Sequence, residues 1–212
     1  MLISRWLNAL HRRINPWAYT RTARLLRKRR GHRNPSPAAS AVSAEVLETR
    51  TVLASVTWDG GAGDGLWTSA ANWSGDGVPG SSDDLTIDVE GDATITVRGT
   101  PTAVNTLRNH ETLFVEGKTT GAARLSVVAD LTNYGTIRLE STQFDQFNDR
   151  GSYLTFSTGT LVNAASGLID IRKGAGESRT ITGNVTNFGT FRTEAGMPLT
   201  INGTNPLFHN HD

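Results

Sequence analysis

Between residues 93 and 212 apolar and polar positions alternate in short runs, and the runs recur. Residues 133–140 read NYGTIRLE and residues 187–194 read NFGTFRTE. With Gly135, Gly167 and Gly189 aligned, Ile137, Ile169 and Phe191 share one column, and Leu139, Ile171 and Thr193 share the column two residues on. Alternation at period two predicts β-strands with one buried face. A weaker copy, NHETLFVE at 109–116, keeps Leu113 and Val115 inward, turns Phe114 outward, and has Glu111 where the others have glycine. Two residues ahead of each Asn lies another apolar position (Leu107, Leu131, Leu161, Val185). Further upstream, Leu125 and Val127, Leu154 and Phe156, and Ile181 predict a second strand per repeat.

The repeated asparagines, Asn109, Asn133, Asn163 and Asn187, are 24, 30 and 24 residues apart, a spacing typical of stacked repeat architectures. The fold this predicts is all-β, a single-stranded right-handed parallel β-helix (solenoid). Asn133, Asn163 and Asn187 stack their amides at a corner, and Gly135, Gly167 and Gly189 let the chain turn there. An antiparallel β-sandwich of hairpins is the alternative, although it requires no fixed interval. Outward positions alternate in sign: Arg138, Asp170 and Arg192 in one column, Glu140, Arg172 and Glu194 in the next. Strands about 4.8 Å apart then set unlike charges side by side, which selects register more than it stabilises. Glu116 falls beside Glu140 and breaks the alternation at that end. Leu199 and Ile201 begin a further repeat, and no capping segment follows before Asp212. The stack is therefore expected to end open, to pair with another chain, or to belong to something longer. His209 and His211 lie on one side of an extended chain, where they suit a metal less well than a frayed end.

Residues 54–92 have a different texture. Closely set Gly, Asp, Asn and Ser demand turns, while Trp58, Trp67 and Trp73 must pack on something. Such a segment suits a cap over the open first edge of a repeat stack. The stretch VTWDGGAGDGLWTSAANWSGDGVPGSSDDLTID resembles the W-D-G-G…N-W opening motif found ahead of β-rich repeats in bacterial surface proteins, autotransporter-type ones included. Its acids Asp59, Asp64, Asp83 and Asp84 form the candidate calcium site, since hard cations prefer carboxylates on Gly-rich loops. No span matches an EF-hand or a GGxGxD repeat, and turn or capping roles compete for the same side chains. No other cofactor is expected. Trp67 and Trp73 are candidates for stacking on a sugar, against the plainer role of cap core.

Residues 1–53 read as a basic targeting leader and linker. Apolar positions at helical spacing sit among arginines in the first thirty residues, with no apolar run long enough for an ordinary secretory signal or a membrane span. A helical or disordered leader, a solvated tail, and an arm for nucleic acid or anionic lipid all fit this composition. The segment EVLETRTVLAS at 45–55 resembles the LE-x-R-x-LL-S signature near the N-terminus of planctomycete extracellular proteins, carried by Leu47, Glu48, Arg50, Leu53 and Ser55, with Ala54 where the pattern favours a second Leu. The resemblance implies export, and it places the protein outside the cell or on its surface, with no nucleic-acid partner in the mature form.

Charge sharpens this division. The 212 residues carry 21 basic and 20 acidic side chains, but residues 1–50 hold eleven Lys/Arg against two acids and the remainder holds ten against eighteen. A basic leader thus precedes an acidic domain. Cysteine is absent, which excludes disulfide staples and thiolate chemistry.

The 30-residue repeat contains an insertion at 141–152, STQFDQFNDRGS, where Asp145, Asn148, Asp149 and Arg150 form the candidate binding loop. All strong signals concern export, capping and stacking, so the expected function is a non-catalytic structural or adhesion module. Surface glycans or other cell-surface proteins are its expected partners. The alternative is a polysaccharide lyase or glycoside hydrolase using paired carboxylates on the same scaffold. No catalytic residue stands out.

Overall fold

In a computed structural model the described residues are 55–118, 121–144, 150–175, 177–203 and 207–211. The leader at 1–53, and with it all of the export signature but Ser55, lies outside them. Residues Thr49–Asp212 form one compact unit.

The chain is all-β. Its described strands are β1 (Ser55–Thr57), β2 (Asp84–Ile87), β3 (Thr94–Val97), β4 (Thr106–Asn109), β5 (Thr112–Gly117), β6 (Ala123–Val127) and β7 (Leu131–Asn133). They continue with β8 (Thr136–Ser141), β9 (Ser152–Asn163), β10 (Leu168–Ile171), β11 (Arg179–Asn187), β12 (Thr190–Thr193), β13 (Leu199–Asn202) and β14 (Phe208–Asn210). One sheet runs β1-β2-β4-β7-β9-β11-β13, with β6 joined to β9 and β14 to β11; the other runs β12-β10-β8-β5-β3. Every pairing among these strands is parallel. Antiparallel hairpins, the alternative expectation, are not how these strands associate.

The pairing follows the sequence columns. Ile137 lies beside Leu113 and Ile169, and Ile169 beside Phe191. Leu85, Leu107, Leu131, Leu161 and Val185 are successive partners in the other sheet. All of these except Phe191 are buried, and Phe191 packs against the core from its partly exposed place. The strands β9 and β11 are long because each carries two runs of the pattern. The first half of β9 pairs with β6, and its second half with β7.

Asn109, Asn133, Asn163 and Asn187 lie in one column and are buried. Each donates its Nδ2 to the next amide oxygen: Asn109 to Asn133 at 2.8 Å, then Asn133 to Asn163 and Asn163 to Asn187, both at 2.7 Å. A fifth member, missed in the sequence, is Asn210, which accepts from Asn187 at 2.7 Å. The column starts at Asn109 because its partner one strand earlier is Ile87, which has no amide to offer. The C-terminal segment does not fray as expected. Strand β14 pairs with β11, and His211 stacks on Phe188 with centroids 4.4 Å apart.

The glycines that follow these asparagines serve closeness of approach rather than positive φ. A Cβ on Gly135 would sit 2.4 Å from the Glu111 carbonyl oxygen; on Gly167, 2.3 Å from Asn163 Oδ1; on Gly189, 2.3 Å from the Ala164 carbonyl oxygen. Glu111 escapes this constraint because the preceding connection, between β2 and β3, is of another kind. Its buried carboxylate closes that connection by accepting from the amides of Val89 and Ala93.

Cap and repeats are continuous, for β1 and β2, expected within the cap, already belong to the large sheet. The segment between them covers the first edge of both sheets. Trp58 bridges to Trp73, and Leu66 bridges to Thr96 of β3. The rings of Trp67 and Trp58 meet Trp73 edge-on at 4.8 and 4.9 Å, and Trp73 Nε1 donates to the Trp67 carbonyl at 2.8 Å. Among the described residues no helix is long and apolar enough to cross a membrane.

Candidate functional site

Strands buried on one face present the other to solvent, and three consecutive strands of the large sheet do so with charged and hydroxyl side chains. In β2 and β4, Asp84 stands beside Thr106 and Thr86 beside Arg108; in β7, Thr132 stands beside Arg108. At the next step along each strand the chain turns, and Asp88, His110 and Tyr134 emerge after Ile87, Asn109 and Asn133. Asp88 and His110 border a groove of about 640 Å³ whose lining also includes Asp84, Arg108, Asp130 and Thr132. The rings of His110 and Tyr134 are stacked at its rim, 4.6 Å between centroids and 18° from parallel.

The groove is held in shape by its own carboxylates. Asp84 Oδ1 accepts from Asn105 Nδ2 and Thr106 Oγ1, both at 2.7 Å. Asp130 Oδ1 accepts from the Thr160 amide at 2.8 Å. Among the described residues the second oxygens of both accept nothing, and exposed Arg108 makes no ion pair. Acceptors, a five-donor guanidinium and threonine hydroxyls therefore face one open space, an arrangement suited to a hydroxyl-rich ligand.

The residues chosen from sequence are distributed elsewhere. Asp145, Asn148 and Asp149 lie outside the described residues. Arg150 donates from Nη1 to the Lys118 carbonyl at 3.0 Å. Trp67 and Trp73 are fully buried and offer no face on which a sugar stacks; they are the core of the cap. The four acids of the calcium hypothesis are not brought together. Asp59 accepts from the Gly61 amide, Asp83 from the Gly80 amide, and Asp84 belongs to the groove. Asp64 accepts from Ser69 Oγ, the Leu66 amide and Asn72 Nδ2, and the hydrogen bond from Ser69 is foremost in holding its carboxyl below the ordinary range. Among the described residues no three His, Cys, Asp or Glu side chains are grouped to hold a metal ion. The structural set Asn133, Gly135, Asn163, Gly167, Asn187 and Gly189 occupies the corner predicted for it.

On the smaller sheet Asp170 is a hub of the charge columns. Its carboxylate takes Arg192 Nε at 2.9 Å and Nη2 at 2.8 Å, together with Arg172 Nε at 2.6 Å. Arg138 turns instead to Glu140 of its own strand and lies over the ring of Phe114. Glu116, which does fall beside Glu140, is neutralised by Arg98 at 2.6 Å and accepts from Thr142 at 2.8 Å. Burial by itself would raise the carboxyl groups of Asp170 and Glu116, but hydrogen bonds and nearby cations hold both below the ordinary range. A depressed native value means stability that is complete above the ordinary carboxylate pKa of about 4 and is lost as pH falls through the native values. Asp170→Asn should flatten part of that acid limb in pH-dependent melting. Asp170→Lys should cost about 2 kcal/mol, below the figure for fully buried pairs because both arginines are half exposed. An unchanged melting temperature for the lysine variant would rule out this register as a determinant of stability.

Arg179, also missed in the sequence, is buried at an inward strand position. Its guanidinium donates to the carbonyls of Arg172, Lys173, Glu177 and Ser178 at 2.6 to 3.1 Å, tying down the β10–β11 connection. Burial lowers its pKa to about 10, so it stays cationic at neutral pH. The readable signal was a charged residue in phase with Ile181 on an alternating strand.

The site thus belongs to an all-β protein of parallel strands, on the exposed face of its larger sheet. Set against known proteins, the chain matches no family, no curated protein and no solved structure.

Proposed function

We propose that the domain is a β-solenoid, a parallel β-helix, serving as a non-catalytic structural or adhesion module on the cell surface or outside the cell. The hand is right, as parallel crossovers overwhelmingly are. The observation that carries the reading is the asparagine column, in which five corner amides bond in series from Asn109 to Asn210. A column of this kind serves stacking, and it takes up the most regular polar feature of the sequence without leaving a reactive group. The basic leader and the LE-x-R-x-LL-S-like segment support export. Surface glycans and other surface proteins are the partners that fit such a module.

Labelling intact producing cells with a membrane-impermeant amine reagent, followed by mass spectrometry, tests the reading. The domain should be labelled and peptides from the leader should be missing from the mature chain. Labelling only after lysis would overturn it. A glycan-depolymerisation assay that yielded product, lost on replacing Asp84 or Asp130, would move the protein to the enzymatic alternative.

A further inference from the structure

Resting on the reading of a surface module, we infer that the groove outside β2, β4 and β7 binds an uncharged glycan, with a pyranose ring against the open face of His110. Neighbouring strands are about 4.8 Å apart, and the 4.6 Å spacing of the nearly parallel His110 and Tyr134 rings matches that step. The two rings therefore stack along the direction in which the strands succeed one another. Tyr134 covers one face of His110. The other face looks toward the preceding strand, whose matching residue is Asp88, a side chain too short to cover an imidazole. An aromatic face with an exposed acceptor beside it suits the C–H face of a sugar ring whose rim hydroxyls need partners.

The rest of the groove supplies those partners. Asp84 and Asp130 are anchored through one oxygen each, which leaves the other for a sugar hydroxyl at little further ordering cost. Arg108, exposed between Thr86 and Thr132, is the donor among these acceptors. Charge narrows the class: three carboxylates against one guanidinium repel a polyuronate or a sulfated glycan. A protein partner would want a broad apolar centre to the patch, whereas the large apolar side chains lining this groove, Leu85 and Leu107, are themselves buried in the core. A metal ion would want three clustered ligands, which the described residues do not group. The nearby column position of Ala164, between Tyr134 and Phe188, leaves further exposed aromatic surface on the same edge, both rings being more than a third exposed.

The test is isothermal titration of the mature chain purified from its producing cells, without the basic leader, with soluble neutral polysaccharides (a β-glucan, a galactan and a mannan) and with polygalacturonate. At least one neutral polymer should bind, and polygalacturonate should bind about tenfold more weakly or not at all. Arg108→Ala, which breaks no ion pair among the described residues and should leave the melting temperature unchanged, should weaken binding about tenfold. His110→Ala should do the same. No binding by any neutral polymer, preference for polygalacturonate, or affinity unmoved by Arg108→Ala and His110→Ala would each overturn the inference. The surface-labelling result is independent of the titration, so a failed glycan site and a failed surface assignment are told apart.

Discussion

Asn163→Ala should lower the unfolding midpoint by about 10 °C, the equivalent of about 4 kcal/mol for a domain of this size. Asn163 is the centre of the column, and its amide serves four groups. Nδ2 donates to Asn187 Oδ1 at 2.7 Å and to the carbonyls of Gly167 and Thr190, both at 3.1 Å. Its Oδ1 accepts from Asn133. Alanine removes all four in a place water does not reach, and each orphaned group costs on the order of 1–3 kcal/mol before relaxation. Asn163→Asp should be no better, because it keeps an acceptor but loses the donor and adds a buried charge. The same change at Asn210, at the exposed end of the column, should cost about 1 kcal/mol. Thermal unfolding of the three variants decides the matter. Equal losses at positions 163 and 210 would mean the column is decoration rather than structure.

Gly167→Ala should cost about 3 kcal/mol for a steric reason alone. The added methyl would lie 2.3 Å from Asn163 Oδ1 and 2.5 Å from the Asn133 carbonyl oxygen. Neither neighbour can withdraw without breaking the corner hydrogen bonds. Gly77→Ala is the matched control: nothing lies closer than 3.9 Å, and it should be nearly neutral. Because the methyl meets Asn163 directly, the two changes should not add. In the Asn163→Ala background the Gly167→Ala penalty should shrink, leaving the clashes with the Asn133 carbonyl oxygen and Nδ2. Strict additivity in chemical denaturation would contradict the close approach.

Much of this corner was legible because strand alternation and a fixed interval are local properties of the chain. Ile137, Leu139, Ile169 and Ile171 read as inward from their phase, and they are buried. The tryptophans at 58, 67 and 73 read as a cap from size alone, and the cap covers the first strands. The glycines read correctly as required, but for the wrong reason, since close approach by a neighbouring strand cannot be distinguished in sequence from positive φ. The groove was not legible. Asp84 of β2, Arg108 of β4 and Asp130 just ahead of β7 come from successive turns of the chain, and each taken alone is an ordinary outward residue. A clue lay in the runs Asp84-Leu85-Thr86, Thr106-Leu107-Arg108 and Asp130-Leu131-Thr132, which share a polar–leucine–polar form ahead of the corner.

By itself, the sequence determined the strands from β4 to β13, their inward faces, the asparagine column from Asn109 to Asn187 and the presence of a tryptophan cap ahead of them, because each depends on spacing within the chain; β1, β2, β3 and β14 came only with the structure. The tertiary structure decided which charges meet. Arg192 reaches Asp170 across strands while Arg138 prefers Glu140, since side-chain pairing depends on reach and competing partners that phase does not encode. It likewise decided that Asp64 is consumed by Ser69, Leu66 and Asn72, that Asn210 extends the column, and that Asp84, Arg108 and Asp130 share a groove. The Asp170–Arg192 contact, the extension of the column and the groove arise from parallel stacking, which carries residues more than twenty positions apart to within one strand spacing, whereas Asp64 and Arg138 are settled by neighbours within eight residues.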